Sequence, residues 1–468
     1  MPEQRGLEPL YTAVEMSAAE ALYPNYPASA PELMERAGEQ AALTALSRWP
    51  DARRWTVVCG GGSNGGDGRV VARRLEAAGR DARVVDVKAG ETELGEPEVV
   101  VDALFGTGFS GEPRPDAAAL IARMNASGAP VLAIDLPSGV NASTGEVAGA
   151  AVNAGATVTF HGPKVGLVVA PGRFHAGEVV IADIGLHAQE TGHRLVTAEL
   201  LRDVPRRGDA DNKYTAGHVL VVGGSRGLTG APSLAAMAAL RADVGYVTVA
   251  APESTLPVLE QRLLEAVKRP LPEKDGIVAE AATEIVLELA RKASALALGP
   301  GLGRGRGPHE LVRRVLAEVE LPIVVDADAL FELEPGEWPA PRVLTPHEGE
   351  LARLLGRESS EIAAHRLVAV REASERFQCV VLLKGADTLI AAPGRGILVS
   401  SLGLPSLATA GTGDVLTGIV AAFLAKGMEA QVAAAAAAAA HELASVEAPQ
   451  RAGLVAGDLI EALPRVLL

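Results

Sequence analysis

The chain has little cysteine, no excess of basic charge and no long hydrophobic run, and each shortage excludes something. Cys59 and Cys379 are its 2 cysteines, far apart in the sequence. That is neither a disulfide framework nor a zinc-binding spacing, and it fits a reducing cytoplasm. Lys plus Arg number 43 against 58 Asp plus Glu, a net charge of −15. An acidic surface without a basic tract argues against nucleic acid or an anionic membrane as the main partner, and leaves room for a local positive pocket around a phosphate-bearing small molecule. No apolar run approaches the ~20 residues needed to span a bilayer. The opening MPEQRGLEPLYTAVEM lacks the apolar region of a signal peptide. No Gly-Lys dipeptide occurs anywhere, which excludes a Walker A loop.

What is present is an ordinary globular composition, 48% apolar and 22% charged over 468 residues, enough for two large domains or three average ones. Glycine is 51 of 468, against a usual ~7%, so a single glycine-rich motif carries little weight. Helical spacing of Met16, Ala19 and Leu22, then of Leu33, Met34 and Ala37 behind Pro31, predicts helices over the first forty-odd residues. Strands are expected at Trp55–Cys59, Arg83–Val87, Val99–Ala103, Val131–Ile134, Thr157–Phe160 and Val179–Ile184, with a helix over Val70–Ala78. A charged, irregular stretch places a linker at 189–210 between domains 1–188 and 211–468. The second series has strands at His218–Val222, Tyr246–Ala250, Ala295–Leu298, Ile323–Val325, Val343–Leu344, Val380–Leu383 and Thr388–Ala391, then a helical tail from Val415. Its run Ala433–Ala440 reads as a buried helix without chemistry, and His441 as structural. Strand, glycine turn and helix in alternation is the rhythm of two doubly wound α/β domains.

The chemistry-bearing residues fall at strand ends. Gly60–Gly68 (GGGSNGGDG) joins a strand to a helix, where free N–H groups can cradle an anion; a plain tight turn is the other reading. Gly106–Gly111 (GTGFSG) matches a dinucleotide fingerprint literally but is followed by Glu112-Pro113-Arg114-Pro115 rather than a helix, so a substrate-facing loop is expected. Asp135 follows the strand VLAI, and Asp102 ends another on the same edge; with Asn64 and Ser138 these oxygens suit a hard cation. Taken singly, each acid reads first as an N-cap or turn residue, and it is their convergence on one edge that points to a site. In the second half Gly299–Gly303, Asp326-Ala327-Asp328, Thr345–Glu348 and Lys384–Thr388 each follow a strand, and Gly411–Asp414 opens an apolar helix. Glycine amides at that helix start point at an oxyanion, and Asp414 can accept a proton from a hydroxyl being phosphorylated.

On these residues the first half resembles the NAD(P)H-hydrate epimerases, the YjeF-like N-terminal domain, through Leu33–Gly38, Gly60–Gly68, Val101–Gly108, Asp135–Gly139 and Gly177–Gly185. The second half resembles the ADP-dependent NAD(P)H-hydrate dehydratases through Asn212–Tyr214, Val221–Gly230, Gly299–Gly303, Asp326–Leu330, Thr345–Glu350, Leu383–Thr388 and Gly411–Gly418. The resemblance implies a Rossmann-like αβα sandwich followed by a ribokinase-like αβα domain. It implies substrates NAD(P)HX, hydrated at C6 of the nicotinamide ring, and ADP, with K+ in the first domain and Mg2+ with ADP in the second. A cytoplasmic homo-oligomer is expected.

Carried over by motif, Ser63, Asn64, Gly65, Gly66, Asp67, Gly106, Thr107, Gly108, Phe109, Ser110, Gly111, Glu112 and Asp135 would contact the epimerase substrate, with Asn64, Asp102 and Ser138 holding K+. Ala231, Gly301, Gly303, His347 and Asp414 would contact the dehydratase substrate. Lys384, Gly385, Ala386, Asp387, Thr388, Gly411, Thr412 and Gly413 would contact ADP. Asp135 and Asp414 are the expected catalytic residues. The chain departs from the family's usual Asn-Asn-Gly-Gly-Asp at Ser63, and from its usual Asn and Gly-Asn-Pro at Ser400–Pro405. The competing reading is a ribokinase-like small-molecule kinase with a non-catalytic N-terminal binding module.

Overall fold

The computed structural model describes residues 4–450 and 452–467. They form two compact units. One is Pro9–His193 with Ala363–Arg366; the other comprises the stretch ending at Glu8, Arg194–Ile362 and Leu367–Leu468. No helix among the described residues is long and apolar enough to cross a membrane.

The N-terminal unit is built on six strands, Arg54–Cys59, Asp81–Asp86, Val99–Ala103, Val131–Ile134, Ala156–Phe160 and Glu178–Ala182. In chain order they lie 2-1-3-4-5-6, every pair parallel. Continuous apolar runs suit such strands because both faces are covered. Val57, Val101, Leu132 and Val158 pack with helices Ala30–Arg48 and Ser63–Ala77, while Val58, Val100 and Val131 pack with helix Pro115–Ala126. The order reverses between the first and third strands. Ligands of open α/β sheets bind in the crevice at the carboxyl ends beside such a reversal. The two loops there are 60–62, which opens the first glycine motif, and 104–114, which holds the expected site residues Gly106–Glu112.

The C-terminal unit carries an eleven-stranded sheet. Its centre is seven parallel strands: His218–Val222, Tyr246–Pro252, Val267–Leu271, Ala295–Leu298, Ile323–Val325, Arg342–Leu344 and Val380–Leu383. In chain order they lie 3-2-1-4-5-6-7, so the reversal falls between His218–Val222 and Ala295–Leu298. Antiparallel Thr388–Ala391 and Leu398–Ser400 extend it. Helices Gly230–Arg241, Thr412–Ala425, Ala430–Glu447 and Ala456–Val466 share one apolar core with its strands. The alanine run lies within Ala430–Glu447 and is buried throughout.

Three expectations on local structure are corrected. The helix expected at Val70–Ala78 begins at Ser63, so the glycine motif is largely its first turn. The glycines serve packing: a Cβ on Gly65 would sit 2.0 Å from the Gly60 carbonyl oxygen, and one on Gly68 would sit 2.5 Å from the Ala103 Cβ. A helix, Pro115–Ala126, does follow the GTGFSG loop, with Pro115 and its preset φ in the first turn. The stretch 189–210 is not irregular throughout. It contains the strand His193–Val196 and a 3-10 segment Ala198–Asp203. The strand is too short for a periodic signal and is held by its neighbours in the large sheet, Leu398–Ser400 and Leu7–Leu10.

Candidate active sites

In the N-terminal unit a cavity of about 700 Å3 opens over the strand reversal. Ser63, Asn64 and Asp67 line it from the first helix turns, Gly106, Thr107, Gly108 and Phe109 from the next loop, and Asp135 from the end of the fourth strand. Gly65 and Gly66 lie behind that wall, and Ser110, Gly111 and Glu112 are exposed outside it. Asp135 has a positive φ of 68°, which turns the chain off the strand and sets its carboxylate at the sheet edge. There it accepts from the Thr107 amide at 3.2 Å and the Thr159 hydroxyl at 3.3 Å.

Lys164, absent from the sequence-based set, completes the group. It follows the next strand in His161-Gly-Pro-Lys164, and that placement was the available signal. Its Nζ lies 2.9 Å from Asp135 Oδ1 and donates to Thr159 Oγ1 at 2.9 Å and to the Phe160 carbonyl at 2.7 Å. The ammonium is fully enclosed and all three of its donors have acceptors, as a buried cation requires. Glu20 also lines the cavity, from helix Ala13–Ala21, where nothing in the sequence marked it. Three carboxyls thus face one ammonium. Burial, then Asp135 and Glu20, push Asp67 up to about 8. Burial and Asp135 also raise Glu20 against the pull of Lys164.

Beneath the cavity, Asp102 is completely buried. Burial pushes it up to about 6, although it accepts from the Ser138 hydroxyl at 2.6 Å, the Ser138 amide at 2.8 Å and the Leu104 amide at 3.2 Å. Asn64 donates through Nδ2 to the Phe105 carbonyl at 2.8 Å, which leaves its Oδ1 buried with no hydrogen-bond partner. An orphaned amide oxygen, a buried carboxylate met by no cation among the described residues, a hydroxyl and a carbonyl are a donor set that a hard monovalent cation fits.

In the C-terminal unit the group forms around Asp326, which directly follows the strand Ile323–Val325. Lys384 Nζ donates to Asp326 Oδ1 at 2.9 Å, and the Thr417 hydroxyl donates to Oδ2 at 2.7 Å. Asp328, two residues on, accepts from the Gly303 amide at 3.0 Å and pairs with Arg304 at 3.1 Å. Asp414 lies on the first turn of helix Thr412–Ala425. Burial, then Asp326, push it up to about 7, with Lys384 pulling the other way. Burial alone would lower the Lys384 ammonium, but Asp326, Glu350 and Asp414 hold it above the ordinary range. A Cβ on Gly413 would lie 3.4 Å from Lys384 Nζ, so the ammonium sits beside the helix start. A further cavity of about 370 Å3 opens beside Gly303 and Asp328.

The other expected residues divide. Gly301 packs against Ala231: a Cβ there would sit 3.3 Å from the Ala231 Cβ. The backbone of His347 bridges to Lys384. The His347 ring, however, caps helix Glu348–Leu355, its Nδ1 accepting from the Gly349 and Glu350 amides at 3.0 and 3.3 Å. Gly385 and Ala386 are exposed and Asp387 is fully buried. The Thr388 hydroxyl turns inward and donates to Glu442 at 2.8 Å, so its side chain does not join the group around Asp326. Thr412 donates to the Leu407 and Thr409 carbonyls at 2.9 and 2.8 Å, which fixes the turn at Gly411.

Comparison with known proteins gives a consistent result. A family model described as NAD(P)H-hydrate dehydratase matches residues 219–465. One described as YjeF-related protein N-terminus matches 30–92 and 86–166. The bifunctional NAD(P)H-hydrate repair enzyme Nnr of Moorella thermoacetica is 39% identical over 98% of this chain and 96% of its own length. That of Escherichia coli K12 is 36% identical over 93% and 89%. The crystal structure of the ADP/ATP-dependent NAD(P)H-hydrate dehydratase from Bacillus subtilis, co-crystallized with ATP/Mg2+, superposes with a TM-score of 0.51 at 28% identity, covering 58% of this chain and 96% of that one.

Proposed function

The chain belongs to the bifunctional NAD(P)H-hydrate repair enzymes, and on that premise we propose how its two sites divide the work. The N-terminal unit epimerises the R and S forms of NAD(P)HX. The C-terminal unit dehydrates the S form to NAD(P)H, converting ADP to AMP and phosphate. The observation that carries the reading is the recurrence, in each unit, of a lysine–aspartate pair at the carboxyl ends of parallel strands, with a second carboxyl of raised pKa beside it.

In the epimerase cavity Asp135 takes the C6 hydroxyl proton while the C6–N1 bond opens to an aldehyde. Rotation about the freed carbon presents its other face, and reclosure onto N1 returns the proton. Lys164 and the Thr107 amide face the charge on Asp135, and Asp67, which holds its proton at neutral pH, can donate a hydrogen bond to the substrate. K+ would be held by Asn64, Asp102 and Ser138, where its charge would offset buried oxygens and draw substrate oxygens to the loop.

In the dehydratase Asp414 removes the C6 hydroxyl proton, and its pKa of about 7 suits a base working near neutrality. The oxygen attacks the β-phosphorus of ADP and AMP leaves. The nitrogen lone pair then expels phosphate from C6, and loss of a C5 proton completes the dihydronicotinamide ring. Lys384 and the amides at Gly411–Gly413 neutralise the phosphoryl oxygens. Mg2+ would arrive on the nucleotide phosphates and share that neutralisation. Two buried free cysteines agree with a cytoplasmic setting. A kinase with a passive N-terminal module is disfavoured because the first unit has its own cavity and acid–base group. Incubation with S-NADHX and either ADP or ATP, assayed for NADH, AMP and ADP, tests the reading: NADH with AMP from ADP supports it, and turnover of ATP to ADP without NADH would support the kinase instead.

A further inference from the structure

Helix Ala430–Glu447 is apolar and buried over most of its length, yet carries a carboxylate at Glu442 that is only 5% exposed. A buried carboxylate is tolerated when donors meet it, and here they come from two separate segments. Glu442 accepts from the Thr388 hydroxyl at 2.8 Å, the Ser400 hydroxyl at 2.7 Å and the Leu402 amide at 2.7 Å. Thr388 closes the turn that begins at Lys384, and Ser400 opens the stretch leading to Gly411. One turn further, Ser445 accepts from the Leu404 amide at 3.1 Å and donates to the Glu442 carbonyl at 2.6 Å. The adjacent His441 ring hydrogen-bonds the backbone of Thr412. A Cβ on Gly403 would lie 2.9 Å from Glu442 Cγ, so that turn is seated directly on the side chain. One helix face therefore reaches three segments, 384–388, 400–404 and the turn at Gly411, that surround the lysine and amides assigned to the phosphates.

We propose that Glu442 is the positioning residue of the nucleotide subsite, fixing the Lys384–Thr388 turn and the Ser400–Leu404 stretch relative to each other through the hydrogen bonds to Thr388, Ser400 and Leu402. The proposal rests on the dehydratase reading above. Glu442 touches no substrate; it acts through the segments it holds. Its loss should therefore loosen ADP binding while the acid–base step at Asp414 persists once ADP is bound.

The test is steady-state kinetics of the full chain with S-NADHX and ADP. Glu442→Ala should raise KM for ADP about tenfold or more, the effect of losing charged hydrogen bonds, with kcat at saturating ADP and KM for S-NADHX within about twofold. Glu442→Gln keeps an acceptor for Leu402 and can donate to Thr388, so it should recover most of the ADP affinity. Thr388→Val and Ser400→Ala each remove one hydrogen bond and should raise KM for ADP less than Glu442→Ala does; they carry the test if Glu442→Ala fails to fold. Thr388→Val added to Glu442→Gln should raise KM for ADP about as much as Thr388→Val does in the wild type. Unchanged KM for ADP in Thr388→Val and Ser400→Ala, or a fall in kcat with KM for ADP unchanged, would overturn the proposal. If the wild-type chain regenerates NADH without any need for nucleotide, the dehydratase reading itself fails, a result separable from any variant's behaviour.

Discussion

The two units solve the same electrostatic problem with different remainders. Each sets an aspartate at a strand end with a lysine 2.9 Å away, Asp135 with Lys164 and Asp326 with Lys384. Each leaves a second carboxyl near the start of a helix, Asp67 and Asp414, with its pKa pushed up by burial. The lysines differ. Lys164 is fully enclosed and its donors are filled by Asp135, Thr159 and Phe160. Lys384 is 22% exposed and has one hydrogen-bond partner among the described residues, Asp326. A saturated ammonium can only hold its aspartate in place and balance its charge. One with spare donors beside a glycine-rich helix start can also bind a phosphoryl group. On the proposed reading, the difference separates a site for proton movement from a site for phosphoryl transfer.

The largest effects should come from removing the two proposed catalytic carboxylates one at a time. Asp414→Asn should lower ADP-driven dehydration by about 10²–10⁴-fold, the usual contribution of a general base, with epimerisation kept. Asp135→Asn should do the reverse. Direct separation of the R and S epimers, alongside NADH formation, reads both rates from each variant, and a variant that damages both activities would break the division between units.

Next come the lysines. Lys164→Met leaves Asp135 facing Glu20 and Asp67 without a cation, and should destabilise its unit by about 3–5 kcal/mol, as breaking a buried pair does. Lys384→Met should cost less stability, because Asp326 keeps the Thr417 hydroxyl and the lysine it loses is partly solvated. It should instead raise KM for ADP. Denaturant melts of both variants, set beside their kinetics, would contradict the comparison if the order of stability losses were reversed.

The pH profiles should have opposite limbs. With Asp414 as the proposed base, dehydration should rise with pH through about 7. Since Lys384 favours that carboxylate, Lys384→Met should move the midpoint upward. Epimerisation gains from protonated Asp67, so its rate should fall as pH rises through about 8. Coincident profiles for the two activities would remove these assignments. The smallest effect is ionic. Replacing K+ by Li+, smaller and more strongly hydrated, should slow epimerisation several-fold, about the worth of one weakened oxygen contact, and an epimerase indifferent to the alkali ion would remove the cation from Asn64, Asp102 and Ser138.

Much of the fold could be read from apolar runs, because strands buried on both faces are apolar along most of their length. Val99–Ala103, Val131–Ile134, His218–Val222, Ala295–Leu298 and Val380–Leu383 begin and end where the runs do. What escaped were elements fixed by distant partners. His193–Val196 is a strand only because Leu398–Ser400 and Leu7–Leu10 flank it. Pro115–Ala126 was obscured by prolines that open a helix as readily as they interrupt one. The same holds for the sites. Asp135, Asn64 and Asp414 were visible as strand-end or helix-start residues. Asp326 carried the same signal, directly after an apolar strand, but no role was attached to it. Glu20 had none, since only the packing of its helix brings it to the cavity. Thr388 looked like a ligand contact because it ends a motif, yet strand alternation turns it inward to Glu442.

The central claim is that one chain holds two separable active sites acting in sequence. The most direct test is to give mixed R- and S-NADHX with ADP to the wild type, Asp135→Asn and Asp414→Asn, and follow the return of NADH. The wild type should recover both epimers at enzymic rate. Asp135→Asn should recover the S fraction quickly and the remainder only at the slow spontaneous rate of epimerisation, and Asp414→Asn should recover almost nothing. Fast and complete recovery by Asp135→Asn would contradict the account, because the N-terminal site would then contribute no catalysis.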